Sequence, residues 1–123
     1  MAVAQFFSRL GALSCASSVG LGAIGAHRLG ARPEEWQRIW TVSNRYQQFG
    51  SLALLSLPAI KRSPRATLVG GACLGVGTAM FAGANYAVSY NETRAFWDDQ
   101  GLKNPAPWGG GLMIAGFVAL VVL

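Results

Sequence analysis

The side chains with chemical capability are few, and their spacing matters more than their number. His27 is the only histidine, at the end of the apolar run in "GLGAIGAHRLGARPEEW", residues 20 to 36. It is a possible haem or quinone contact. In the last turn of a helix, however, a lone histidine is first a cation facing terminal carbonyls. Cys15 and Cys73 fall in different apolar runs, without CxxC spacing and without a neighbouring histidine or carboxylate to complete a metal site. They are expected to be small packing residues. Asn44, Gln47, Gln48 and Ser51 follow i, i+3, i+4, i+7 spacing and form one polar helical face, with Arg45 beside it. A polar face inside a bilayer is a functional hypothesis by default. Because it lacks a carboxylate it is poorly suited to relaying protons, so helix packing or assembly is the first reading and a transport path the second. No nucleophile with a base, phosphate loop or carboxylate pair is found, and no enzymatic activity is expected.

The elements that must hold these residues are apolar. The 123 residues are 52% hydrophobic and 12% charged, about half the charge of an ordinary soluble domain. Ten basic and five acidic residues leave charge-free runs at 10–27, 46–60, 66–91 and 104–123. Roughly 20 apolar residues cross a hydrocarbon core. The fold class expected is therefore all-α, an integral membrane four-helix bundle with short connections, forming one transmembrane domain over 1–123. Its spans are expected at about 4–28, 34–60, 66–90 and 105–123. The second span is the awkward one, since its apolar run is short and Arg45, Gln47 and Gln48 would lie within the membrane or at its boundary.

The connections carry the right punctuation. Gly30 is expected to close helix one as a helix cap with His27, Pro33 to open helix two, and Glu34 and Glu35 to sit where a helix N-terminus favours anions. "KRSPR" at 61–65 makes a second short turn, and the mixed-charge stretch before Pro105 leaves room for one interfacial helical turn. Trp36, Trp40, Trp97 and Trp108 fall near span ends, as an aromatic belt would place them. Small residues recur every four positions, as Ser14, Ser18, Gly22 and Ala26 in helix one and Gly71, Gly75, Ala79, Gly83 and Ala87 in helix three. In lipid such stripes are expected to carry helix packing.

The first run partly resembles a secretory signal but is expected to be retained. With one arginine in the first 27 residues, any mitochondrial import signal is expected to be internal. Asn91-Glu92-Thr93 is a glycosylation sequon, relevant only in a secretory lumen. An even span count puts Arg9, Lys61, Arg62 and Arg65 on one side, and Arg28, Arg32, Arg38, Arg94, Lys103 and all five acids on the other. The tally of cations favours neither side, and termini on the matrix or cytoplasmic side are the expectation. The net charge of +5 suits anionic lipid surfaces, with no cluster large enough for nucleic acid.

"GAIGAHRL" at 23–29 with its leading glycine, "WTVSNRYQQFGSLALL" at 40–55, "FAGANYAV" at 81–88 and "APWGGGLMIAGFVAL" at 106–120 resemble the consecutive signatures of the domain-of-unknown-function 423 (transmembrane protein 256) family. The likeness covers nearly the whole chain, one signature per helix. It implies a four-helix membrane protein of the kind found in mitochondria and bacteria, and it carries no activity. Relatives commonly read Tyr-x-x-x-His before Ser-Leu-Ala-Leu-Leu. Here Tyr46 is kept and Gly50 stands at the histidine position, which lowers the case for ligand chemistry at His27. The expected function is a non-catalytic accessory subunit of a mitochondrial inner-membrane complex, of the respiratory chain or ATP synthase. The alternative is a small transporter or lipid- or quinone-binding protein. Expected partners are membrane lipids and other subunits of that complex, with no cofactor beyond a possible bound phospholipid.

Overall fold

A computed structural model describes residues 2–123. It holds four long helices and one short one: α1 (Ala2–Arg28), α2 (Glu34–Ser56), α3 (Pro64–Tyr90), α4 (Phe96–Asp99) and α5 (Ala106–Val122). The turn before α3 shows how local chemistry sets the boundaries. Ser63 accepts a hydrogen bond from the Ala66 amide at 3.1 Å, and Pro64, which has no amide hydrogen to lose, opens the first turn. α2 stops at Ser56, four residues before the expected end, because Leu57 and Ala59 fold into tight turns around Pro58. Pro33 sits just ahead of α2, where its carbonyl accepts from the Trp36 and Gln37 amides. The interfacial turn is present as α4, released into the next segment by Gly101 in the left-handed region, φ 71°.

Consecutive long helices run antiparallel. α3 packs against α1, α2 and α5, and α5 rests chiefly on α3, with Phe117 reaching Phe49 of α2 at a ring separation of 5.7 Å. The first residues, the 61–65 turn and the last residues share one end: Arg62 donates to Val121 O at 2.7 Å and Ser63 to Leu123 O at 3.1 Å. At the other end Arg32 pairs with Glu92, and Arg94 with Glu35.

The distribution of burial departs from that of a soluble domain. Ser18, Ser43, Gln47, Ser51, Thr67, Thr78 and Ser89 are buried, while Leu13 is 69% and Val121 75% exposed. The apolar core is one small cluster of Ala4, Phe7, Leu54, Leu57 and Leu74. Exposed apolar side chains in this number call for a nonaqueous surrounding or a partner. Among the described residues α1 and α3 are long and apolar enough to cross a bilayer, by length and composition. α5 is apolar but has 17 residues, and α2 carries Glu34, Glu35, Arg38 and Arg45 in its 23. Composition therefore supports two of the four expected spans.

Candidate functional site

The polar face of α2 is turned into the molecule. Asn44 donates to Ser18 O at 2.7 Å and to the Tyr86 hydroxyl at 3.1 Å. Tyr86 donates to Gln47 Oε1 at 2.7 Å, and Gln47 Nε2 donates to Ser17 Oγ at 2.8 Å and Ser14 O at 3.2 Å. Gln48 donates to Asn44 Oδ1 at 2.9 Å, and Ser51 Oγ lies 2.5 Å from both Ser14 Oγ and Gln47 O. The donations run in one sense, Gln48 to Asn44 to Tyr86 to Gln47 to Ser17, and the Asn44 and Gln47 amides each use both their ends. α1, α2 and α3 are thereby tied by a shared polar network in addition to the apolar cluster around Phe7, Leu54 and Leu74.

Two of the expected members behave differently. Arg45 is exposed and stands outside this network, and Gln48 belongs to it only through Asn44. Arg45 is excluded because inward positions on α2 follow 40, 43, 47, 50/51, 54, which leaves 41, 45, 48 and 52 on the outer side. Tyr86, the hub of the network, was missed by sequence reasoning. Its signal was available: one phenol near the middle of the "FAGANYAV" signature, on an otherwise small-residue helix, needs a partner for its hydroxyl.

The small-residue stripes are displaced from their expected positions. In α1 the packed face follows Ala4, Phe7, Gly11, Ser14, Ser18, Gly22, Gly25 and Leu29, steps of three and four. A strict four-residue repeat drifts about 40° per step around a helix, so Ala26 has rotated out and is exposed. At Gly11 an added Cβ would lie 2.6 Å from Leu55 N and Ser51 O, so the α1 and α2 backbones meet there. Of the glycines in the α3 stripe only Gly71 is tightly covered, by the Phe7 ring. Gly75 has Leu54 at 3.9 Å, Gly83 has nothing within 4 Å, and Ala79 is exposed. These three line an apolar cleft of about 630 Å³ between α1 and α3, with Phe6, Leu10 and Val76.

The close glycine seam lies elsewhere, between α3 and α5. A Cβ at Gly77 would lie 2.7 Å from Gly109 O and Met113 N, and one at Gly116 would lie 2.9 Å from Leu74 N and 3.0 Å from Gly70 O. Gly70 and Gly77 are seven residues apart, as are Gly109 and Gly116. That matched interval on two antiparallel helices was the legible signal, and the four-residue count passed over it.

The first hairpin closes by a different device from the one expected. Gly30 is not left-handed, and His27 is exposed in the last turn of α1 without a side-chain hydrogen-bond partner among the described residues. Gly25 O in that last turn accepts from the Leu29 amide at 3.3 Å, and the carbonyls of the turn beyond it are met by Gln37, whose amide donates to Gly30 O at 3.3 Å and Arg32 O at 2.6 Å. Trp40 is buried, donating to Leu21 O at 2.8 Å over Gly25 and stacking 4.6 Å from the Tyr86 ring, rather than lying in an aromatic belt. Trp108, in the first turn of α5, is 72% exposed. Cys15 and Cys73 are free and half-buried. Thr78 Oγ1 is buried against Gly50 with no hydrogen-bond partner.

The profile of a family described as "Protein of unknown function (DUF423)" matches residues 21–110. A UPF0382 membrane protein of Staphylococcus haemolyticus is 31% identical over 120 residues, 96% of this chain and 93% of the relative. One from Staphylococcus epidermidis is 32% identical over 120 residues, with the same coverage of each chain. The UPF0382 membrane protein YwdK of Bacillus subtilis is 29% identical over 122 residues, 96% of this chain and 94% of that one. No solved structure matches. These relatives are bacterial; they support a membrane location and do not support the mitochondrial inner membrane. A profile that runs from α1 into the first turn of α5, with relatives aligned over almost the whole length, makes the chain a membrane protein of the DUF423 family.

Proposed function

We propose that all four long helices cross the bilayer and that the protein is a non-catalytic accessory subunit of a larger membrane complex. The observation that carries this is Arg45. It lies near the middle of α2, exposed, with no ion-pair or hydrogen-bond partner among the described residues. A cation at the centre of a span costs about 2.5–3.5 kcal/mol on insertion scales unless it is paired or hydrated. Nothing among the described residues pairs it, and a partner supplied by a neighbouring subunit would.

Two features agree with that reading. Asn44, Gln47 and Ser51 spend their hydrogen-bonding capacity on α1 and α3, which leaves no continuous path for a transported solute along α2. The small residues Gly75, Ala79 and Gly83 face an open apolar cleft instead of a helix of this chain, the arrangement by which a further helix can approach closely. The finer assignment we propose is a respiratory-chain or ATP-synthase complex of the mitochondrial inner membrane, with both termini on the matrix side as an even span count allows. The test is native electrophoresis of membranes dissolved in mild detergent. Co-migration with a large complex is expected, and migration alone, at the chain's own mass plus its micelle, overturns the proposal.

A further inference from the structure

At the end that holds α4, a recess of about 430 Å³ opens between α2, α3 and the connection leading to α5. It is lined by Arg38, Ile39, Val42, Asn85, Val88, Arg94 and Asn104. Its polar lining consists of hydrogen-bond donors with capacity to spare. Arg38 is exposed and has no carboxylate or hydrogen-bond partner among the described residues. Asn85 likewise has no side-chain partner there, and Asn104 uses its Oδ1 on the Ala106 amide at 2.9 Å, which leaves its NH₂ group to donate. Arg94 is held at the rim by Glu35, through Nε at 2.9 Å and through Nη2. No carboxylate lines the recess itself. The remaining wall, Ile39, Val42 and Val88, is aliphatic.

We infer that this recess binds the phosphate of an anionic phospholipid, with the first part of an acyl chain against Ile39, Val42 and Val88. Three sets of donors around one uncompensated guanidinium select an anion with several acceptor oxygens, which is the chemistry of a phosphate. The position selects a lipid. Arg38 lies one turn into α2 and Val88 is in the last turn of α3, so with these helices crossing the bilayer the recess sits where headgroups meet chains. Basic recesses between helices at this depth take anionic headgroups. A soluble phosphate would leave the aliphatic wall unused. The site is independent of the accessory-subunit reading, since it requires only the chain and a bilayer.

The experiment uses the purified full chain in zwitterionic micelles and three probes: dioctanoyl phosphatidylglycerol, dioctanoylglycerol as tail without phosphate, and inorganic phosphate as head without tail. Thermal midpoint by circular dichroism and stoichiometry by native mass spectrometry are the readouts. Phosphatidylglycerol is expected to raise the midpoint and to be retained at one copy per chain, with neither effect from the other two probes. Arg38→Gln is expected to weaken that binding about tenfold and Asn85→Ala severalfold, while Arg45→Gln, on the same helix but outside the recess, leaves it unchanged. Asn85→Ala carries the test if Arg38→Gln does not elute as a monodisperse helical protein. Equal binding by the recess variants and the wild type overturns the inference. So does an equal loss in Arg45→Gln, which would mean unspecific charge attraction, or an equal effect of inorganic phosphate, which would mean a soluble-anion site only.

Discussion

Two seams hold the long helices together, and they use opposite chemistry. Where α1, α2 and α3 meet, amide, phenol and hydroxyl groups from all three helices bond to one another, from Gln48 through Asn44, Tyr86 and Gln47 to Ser17. Where α3 meets α5 there are no such groups, and contact is made by removing side chains, so that Gly70, Gly77, Gly109 and Gly116 bring backbone against backbone. In lipid neither seam gains from excluding water, which leaves close packing and hydrogen bonding as the available forces. The polar seam specifies which groups must meet and tolerates small shifts. The glycine seam specifies distance alone, and tolerates no added atom.

That contrast can be broken most severely at Gly109. Gly109→Ala places a methyl against the α3 backbone at Phe81 N and Gly77 O, with no side chain able to move aside. Overpacking of this kind is expected to cost about 2–3 kcal/mol, read as a lower midpoint in denaturing-detergent titration, with loss of an engineered α3–α5 cross-link. An unchanged midpoint would mean that the helices are not in backbone contact. The polar seam is expected to yield less. Gln47→Leu strands the Tyr86 O–H donor and removes the bonds to Ser17 Oγ and Ser14 O, at about 1–2 kcal/mol. In the Gln47→Leu, Tyr86→Phe double variant part of that loss is recovered, because the stranded donor has gone. Strict additivity would show that the two residues do not act as a unit.

Smaller effects sharpen the comparison from its edges. Thr78→Val removes a buried hydroxyl that has no partner while keeping the shape, so it is expected to stabilise by about 1 kcal/mol in the same titration. A clear destabilisation would reveal a hydrogen bond to that oxygen. Gly83→Ala meets open space and gains helix propensity, and a shift of no more than about 0.5 kcal/mol, towards stability, is expected. A loss as large as that at Gly109 would place Gly83 in a seam as well.

The helices and their turns were legible because charge, proline and glycine mark them in one dimension. α2 is shorter than its polarity pattern suggested because Pro58 interrupts it before the charged turn. The inward direction of Asn44, Gln47 and Ser51 followed from helical spacing, whereas Arg45 looked like a member by adjacency in sequence, and adjacency on a helix means a different face. Which small residues pack was not legible from a four-residue count, because a seam between long helices advances by alternating threes and fours. Tyr86 and Gln37 lay outside the reading for a related reason: each completes a group on another helix or turn, and long-range satisfaction leaves no local pattern. His27 had the local pattern of a cap, but its side chain is exposed and bonds no carbonyl among the described residues, while Gln37 ties the turn that follows the helix.

The dependence of α5 on α3 has a consequence for biosynthesis. Every hydrogen bond that joins Ser14, Ser17, Ser18, Asn44, Gln47, Gln48, Ser51 and Tyr86 is formed within the first 90 residues. A nascent chain that has released α3 from the insertion machinery therefore holds all the parts of its polar junction. α5 can arrive afterwards, sliding laterally onto a glycine track already set at the correct depth.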